Sequence, residues 1–281
     1  MSPKVWFITG TSCGFGRLWT IVALRRGDCV AATARNLVGM GDLLELYPDT
    51  MLPLQLDVTD RGATLAAVNE AHRHFGGLDV VVNNAEHGQF GCVEEVSEHD
   101  VRAQFDTNVF GALWVTQAAL PFLRKQGRGH ILQISSICGL FSYPNVGMYN
   151  ASKWALEGFS EALAQEVSGT DIRITIIKPG LFNTDWFASA RLPDPLRDYY
   201  EACEQFDEIS RGLTARIGDA QATAEALLAV IDAPDTPLRV DLTSWIVREL
   251  YTKDVSAAGN NGNTLRLRHE AEGDQRHHRG N

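Results

Sequence analysis

The chain has 281 residues, 44% of them apolar, which is enough for one substantial core and within the size of a single α/β domain. Its 25 basic and 35 acidic residues leave a formal net charge of -10, which argues against a large nucleic-acid or anionic-membrane footprint and for small-molecule chemistry. No run approaches the roughly 18 apolar residues of a membrane span, and MSPKVWFITG enters a strand pattern without the apolar segment and cleavage site of a secretory signal, so a soluble cytoplasmic protein is expected.

In chain order, KVWFIT (4 to 9) reads as a first strand, followed by a glycine-rich turn and a helix over about 14–27. CVAATA (29 to 34) is a second strand, 38–47 a helix, and LPLQLDV (52 to 58) a third strand. A helix over 60–75 takes Thr59 or Asp60 as its N-cap. LDVVVN (78 to 83) is apolar on both faces, as a central strand must be. A long helical pattern over 97–126 should break near Thr107 and Asn108, and Pro121 should kink or shorten it. HILQISS (130 to 136), a helix over 147–168 and IRITIIK (172 to 178) complete the alternation.

Such alternation predicts βαβ units: a doubly wound, Rossmann-type parallel sheet with helices on both faces, a three-layer αβα sandwich. Residues 181–216 read as an insertion of loops and short helices over the sheet edge, before a last helix (219–232) and a last strand (237–242). The expectation is one domain over 1–252, with 253–281 a polar, disordered tail whose His277 and His278 are simply solvated. Cys13, Cys29, Cys92, Cys138 and Cys203 are odd in number and scattered, so neither a disulfide framework nor a metal site is indicated.

Two stretches carry chemistry. In TGTSCGFG, Gly10 permits a tight turn, Gly14 lets backbone approach a pyrophosphate, and Gly16 allows close helix packing, while the helix N-terminus offers N–H groups to phosphate. In YNASK, Tyr149 and Lys153 are four apart on one helix face. A phenol holds its proton to about pH 10, and a neighbouring cation is expected to lower that value.

With NNA (83 to 85), NVFG (108 to 111), ISS (134 to 136), YNASK and PGLFNT (179 to 184) in order, the chain resembles the short-chain dehydrogenase/reductase family over roughly residues 4 to 240. The resemblance implies hydride exchange between a carbonyl or secondary alcohol and a nicotinamide cofactor, with Tyr149 as acid/base. It also implies that Ser136 binds the substrate oxygen, that Lys153 assists the phenol and holds the nicotinamide ribose, and that Asn108 positions a water in a proton relay. Ser12, Cys13, Phe15, Asn84, Ala85, Pro179 and Gly180 would line the cofactor, Asp57 and Val58 would meet the adenine, and Thr184 would hold the carboxamide. Paired long helices, about 107–126 and 149–168, imply a homodimer or homotetramer.

At the end of the second strand, where NAD-binding proteins place an acid, the chain reads TARN; Arg35 can clamp a 2′-phosphate, so NADP(H) is the expected cofactor. Phe141, Tyr143, Phe182, Trp186 and Phe187 suggest an apolar or aromatic substrate. One departure stands out: relatives read NNAG where this chain reads NNAE. Glu86 is expected to point to solvent, the commonest state of a glutamate; the alternative is an added acid/base group supporting non-redox or internally redox-balanced chemistry. A non-catalytic NADP sensor is a third reading.

Overall fold

Seven parallel strands form one sheet in the order β3-β2-β1-β4-β5-β6-β7. They are β1 (Val5–Thr9), β2 (Cys29–Ala34), β3 (Met51–Gln55), β4 (Val80–Asn83), β5 (Arg128–Ile134), β6 (Asp171–Lys178) and β7 (Arg239–Asp241). The computed structural model describes residues 2–180, 182, 196–214 and 220–242. The expected tail (253–281), Thr184, Trp186, Phe187, His277 and His278 lie outside the described residues.

The helices are α1 (Gly14–Arg25), α2 (Gly41–Leu46), α3 (Arg61–Phe75), α4 (Glu98–Phe105), α5 (Ala112–Gln126), α6 (Gly147–Glu166), α7 (Tyr200–Thr214) and α8 (Ala220–Asp232). Side chains alternate across a strand, so Trp6 and Ile8 enter one core with Trp19 and Ala23 of α1 and Ala224, Leu227 and Ile231 of α8. Phe7 enters the other, with Val68 and Ala71 of α3, Val115 and Leu123 of α5 and Leu163 of α6. Two apolar layers around one sheet make the three-layer sandwich, each fully buried large side chain contributing about 1.5–3 kcal/mol.

Several polar groups inside are partnered, while others, among them Asn83 Oδ1 and His130 Nδ1, are buried without a hydrogen bond among the described residues. Trp6 Nε1 donates to Asp28 Oδ2 (2.8 Å), and Trp19 Nε1 donates to Thr223 Oγ1 on α8 (3.1 Å), tying the first helix to the last among the described residues. His130 on β5 shares a hydrogen bond with Thr175 Oγ1 (2.8 Å). Asp60 caps α3 by accepting from the Ala63 N–H (2.9 Å). β3 stops at Gln55, earlier than its apolar pattern, because its partner β2 ends opposite, at Ala34.

Two expectations need amending. Of the kink or shortening expected at Pro121, the shortening does not occur: α5 runs on to Gln126, held by the buried Leu123 and closed by Gly127 in the left-handed conformation (φ 77). The region read as short helices contains α7, fifteen residues long. The break near Thr107 and Asn108 is present as a π-helical turn, Asp106–Gly111, between α4 and α5. No helix among the described residues is long and apolar enough to cross a membrane.

Candidate active site

Strand order reverses between β1 and β4, and ligands of open α/β sheets bind beyond the strand ends at such a point. A cavity of about 690 Å³ opens there. Of the residues expected to hold cofactor, Gly10, Ser12, Cys13, Gly14, Phe15, Arg35, Asp57, Val58, Asn84, Ala85, Pro179 and Gly180 line it.

The glycine turn is shaped for backbone contact. Gly10 has φ 71, and a Cβ on it would lie 2.9 Å from Ala85 Cα. A Cβ on the buried Gly16 would lie 2.2 Å from the Gly10 carbonyl oxygen, so Gly16 packs the helix rather than lining the cavity. Asn84 fixes the turn by donating from Nδ2 to the carbonyls of Thr9 (2.8 Å) and Gly10 (3.1 Å). Cys13 takes the N-cap position of α1 without a side-chain cap. The first turn therefore presents backbone N–H groups and the positive end of the helix dipole to the cavity, a setting suited to a pyrophosphate.

At the far end Arg35 is exposed, and among the described residues its guanidinium has no hydrogen bond or ion pair. Asp57 uses Oδ1 to accept from Thr59 N (3.0 Å) and Thr59 Oγ1 (2.8 Å), a turn that presents Val58 to the same wall.

Tyr149 and Lys153 lie one turn apart near the start of α6, 3% and 2% exposed. Lys153 Nζ donates to the Ile134 carbonyl at the end of β5 (2.9 Å) and is ion-paired with Glu86. The Tyr149 hydroxyl donates to Glu86 Oε2 (3.1 Å). Glu86 therefore turns inward, against the expectation of a solvated side chain. Its neighbours leave little choice: the Ala85 N–H donates to Thr9 Oγ1 (2.9 Å), while both backbone groups of His87 are bound by the Asn108 amide (2.8 and 2.9 Å).

The phenol's acidity is also opposite to expectation. Burial, and next the Glu86 carboxylate, raise the Tyr149 pKa well above its ordinary value; a hydrogen bond with Ser136 works against them. The sequence pairs Tyr149 with a cation, but in the fold that cation is neutralised by Glu86.

Ser136 lines the cavity beside Tyr149, its Oγ accepting from the Cys138 N–H (3.2 Å). Behind it, Ser135 Oγ donates to the buried Glu157 (2.9 Å), which Arg239 of β7 pairs on its other oxygen (2.9 Å). Asn150 Nδ2 braces the following turn through the carbonyls of Cys138 (2.8 Å) and Phe141 (2.6 Å). Asn108 lies in the π-helical turn with its amide on His87 and Ser152 (3.1 Å); neither it nor Lys153 lines the cavity.

The apolar end of the cavity is built from Phe90, Tyr143, Val146, Phe206 and Ile209, and Phe90 meets Phe206 edge to face at 5.7 Å. Tyr143 was expected here. Phe90, Phe206 and Ile209 were missed, although Cys203, Phe206 and Ile209 recur at threefold spacing on α7, the stripe of an amphipathic helix. Phe182 lines the cavity edge-on to Phe15 (5.3 Å). Burial pushes the Cys138 thiol up to about 12. The scattered cysteines also hide one grouping: Cys92, Glu95 and Cys203 bring a ligand atom each within 4.8 Å of one another. Sequence spacing could not show this, because α7 folds back over the loop after β4.

Residues 4–194 match the family model described as short chain dehydrogenase. The chain belongs to the short-chain dehydrogenase/reductase family. It is 38% identical over 240 residues to oxidoreductase BOA17 of Botryotinia fuckeliana, covering 84% of this chain and 88% of that protein. It is 38% identical over 185 residues to a 3-ketodihydrosphingosine reductase of Bacteroides thetaiotaomicron, covering 66% of each. A solved short-chain dehydrogenase from Streptomyces avermitilis superposes with a TM-score of 0.86 at 34% identity, over 96% of this chain and 98% of that one.

Proposed function

We propose that this protein is an NADP(H)-dependent oxidoreductase that reduces the carbonyl, or oxidises the matching secondary alcohol, of a small apolar or aromatic substrate. The carrying observation is the convergence of Tyr149 and Ser136 on one cavity whose other arm is a helix start without a side-chain cap and an arginine unpaired among the described residues. The turn at Gly10 to Phe15 would hold the pyrophosphate, Arg35 a 2′-phosphate, Asp57 and Val58 the adenine, and Lys153 the nicotinamide ribose. When bound, the nicotinamide supplies or takes up the hydride.

The protein's own part is the proton. Ser136 orients the substrate oxygen, and the Tyr149 hydroxyl gives its proton to that oxygen in reduction or takes it back in oxidation. Phe90, Phe206 and Ile209 exclude water and favour an apolar group, a preference that the name of the Bacteroides relative also supports. Thr184 is proposed to hold the carboxamide, on the family pattern alone.

The same reading includes one catalytic domain over 1–252, a cytoplasmic location and a homodimer or homotetramer. Five free thiols fit a reducing compartment. Phe110 in the π-helical turn before α5 and Trp154 on α6, 42% and 51% exposed, suit burial against a second copy.

A carbonyl panel followed by nicotinamide absorbance tests the function. Wild type should consume NADPH with an apolar ketone, and Tyr149→Phe should lose about 10²- to 10⁴-fold in kcat. Wild type that binds NADPH and reduces nothing in the panel overturns it. The Glu86 contact with Tyr149 and Lys153 favours one second reading, internally redox-balanced chemistry, which would convert a substrate with no net change in absorbance.

A further inference from the structure

Tyr149 has one phenolic proton, and in this site it is already given to a partner. The hydroxyl points to Glu86 Oε2 at 3.1 Å, and the same carboxylate is the counter-ion of Lys153. A substrate carbonyl needs that proton too, and a nicotinamide ribose needs that ammonium. Glu86 thus occupies, from within the chain, the acceptor positions of both. It is not a loosely exposed acid: its side chain is 19% exposed, and the loop is fastened on either side, at Ala85 by Thr9 and at His87 by Asn108.

We propose that Glu86 is a positioning residue that holds the proton on Tyr149 and competes with the substrate carbonyl for it. The inference rests on the reading of Tyr149 as proton donor. Glu86 and Cys138 of the turn after β5 act on the phenol, Lys153 Nζ on its own helix lies 5.5 Å from the ring centroid, and His87, His99 and Asp106 line the same cavity. Burial pushes the Cys138 thiol up to about 12, so it stays neutral through the working range. Lys153 favours the phenolate but is paired with Glu86. Burial acts first on the phenol; among the charged groups the carboxylate tips the balance, acting directly on the phenol and indirectly by screening the ammonium.

Three consequences separate this role from a merely structural one. Removing the charge while keeping the shape (Glu86→Gln) should let the phenol ionise earlier. Removing the side chain (Glu86→Gly) should do so further, with the Lys153 charge left unscreened. Turnover should follow: the alkaline limit of carbonyl reduction moves to lower pH, and the carbonyl KM falls because its internal competitor is gone.

The decisive measurement needs no turnover. Tyrosinate absorbance is titrated in wild type, Glu86→Gln and Glu86→Gly, each against the same background carrying Tyr149→Phe, so that only residue 149 is read. A downward shift of about one pH unit or more in the variants is expected for loss of an adjacent carboxylate. If residue 149 ionises at the same pH in all three, the proposal is overturned, whatever the turnover. If it shifts while no carbonyl is reduced by any of them, the hold of Glu86 on the Tyr149 proton stands, and the competition with a carbonyl falls together with the reductase reading.

Discussion

Arg35 stands at the end of β2 where the cavity reaches solvent, and its guanidinium has no bonded partner among the described residues. Charge-assisted hydrogen bonds are worth about 1.5–3 kcal/mol, so Arg35→Glu should weaken NADPH by about 10- to 100-fold while sparing NADH, as measured by fluorescence titration of each cofactor. An unchanged preference would remove Arg35 from that role. Residues of this kind were legible in the sequence because their positions are fixed by short spacings: Arg35 from its strand end, Lys153 from one helical turn. The orientation of Glu86 was not legible. Whether a loop side chain faces in or out depends on what fastens its neighbours, here Thr9 on another strand and Asn108 in a distant turn. The expected acidification of Tyr149 failed for the same reason, since it counted the cation and not the carboxylate that neutralises it.

At the scale of elements, the π-helical turn between α4 and α5 does two jobs. It places Asn108 against the His87 backbone, and at Gly111 it brings the helix against β3's outgoing loop, where an added Cβ would lie 2.6 Å from Val58 Cγ2. Val58 is stiff at χ1 and buried, so Gly111→Ala should destabilise by about 1–3 kcal/mol and disturb the wall proposed to meet the adenine. Urea midpoints with and without NADPH would register both; a variant as stable as wild type would show that the turn yields. The break itself was readable from Thr107 and Asn108. Pro121 does not end the helix because one missing N–H cannot outweigh a buried leucine two residues on and a glycine suited to the left-handed cap. The threefold stripe on α7 was present in the sequence, but loop-like prolines and aromatics around it masked its period.

For the molecule as a whole, the layered fold was the most legible property, since every buried strand announced itself by an apolar run. One contribution to stability against acid was hidden, that of His130. Burial first, then Arg173 and Lys4, lower its pKa from 6.5 to about 3. Between those values the unfolded chain binds a proton that the folded one refuses, so stability falls as pH drops through the window. The loss can reach several kcal/mol, on the order of one per pH unit. Replacing both partners, as His130→Leu with Thr175→Val, leaves neither hydrogen-bonding group alone and should flatten the dependence in urea melts at about pH 7 and about pH 4. An equally steep dependence in the double variant would place the acid sensitivity elsewhere. The bond from Trp19 to Thr223 carries a different implication. One face of the sheet is roofed partly by α8, which is synthesised after the first six strands, so the nascent chain must hold Trp19 uncovered while most of the described fold can already assemble. Translation cut short before residue 220 should yield a sticky, chaperone-bound intermediate rather than a smaller working enzyme.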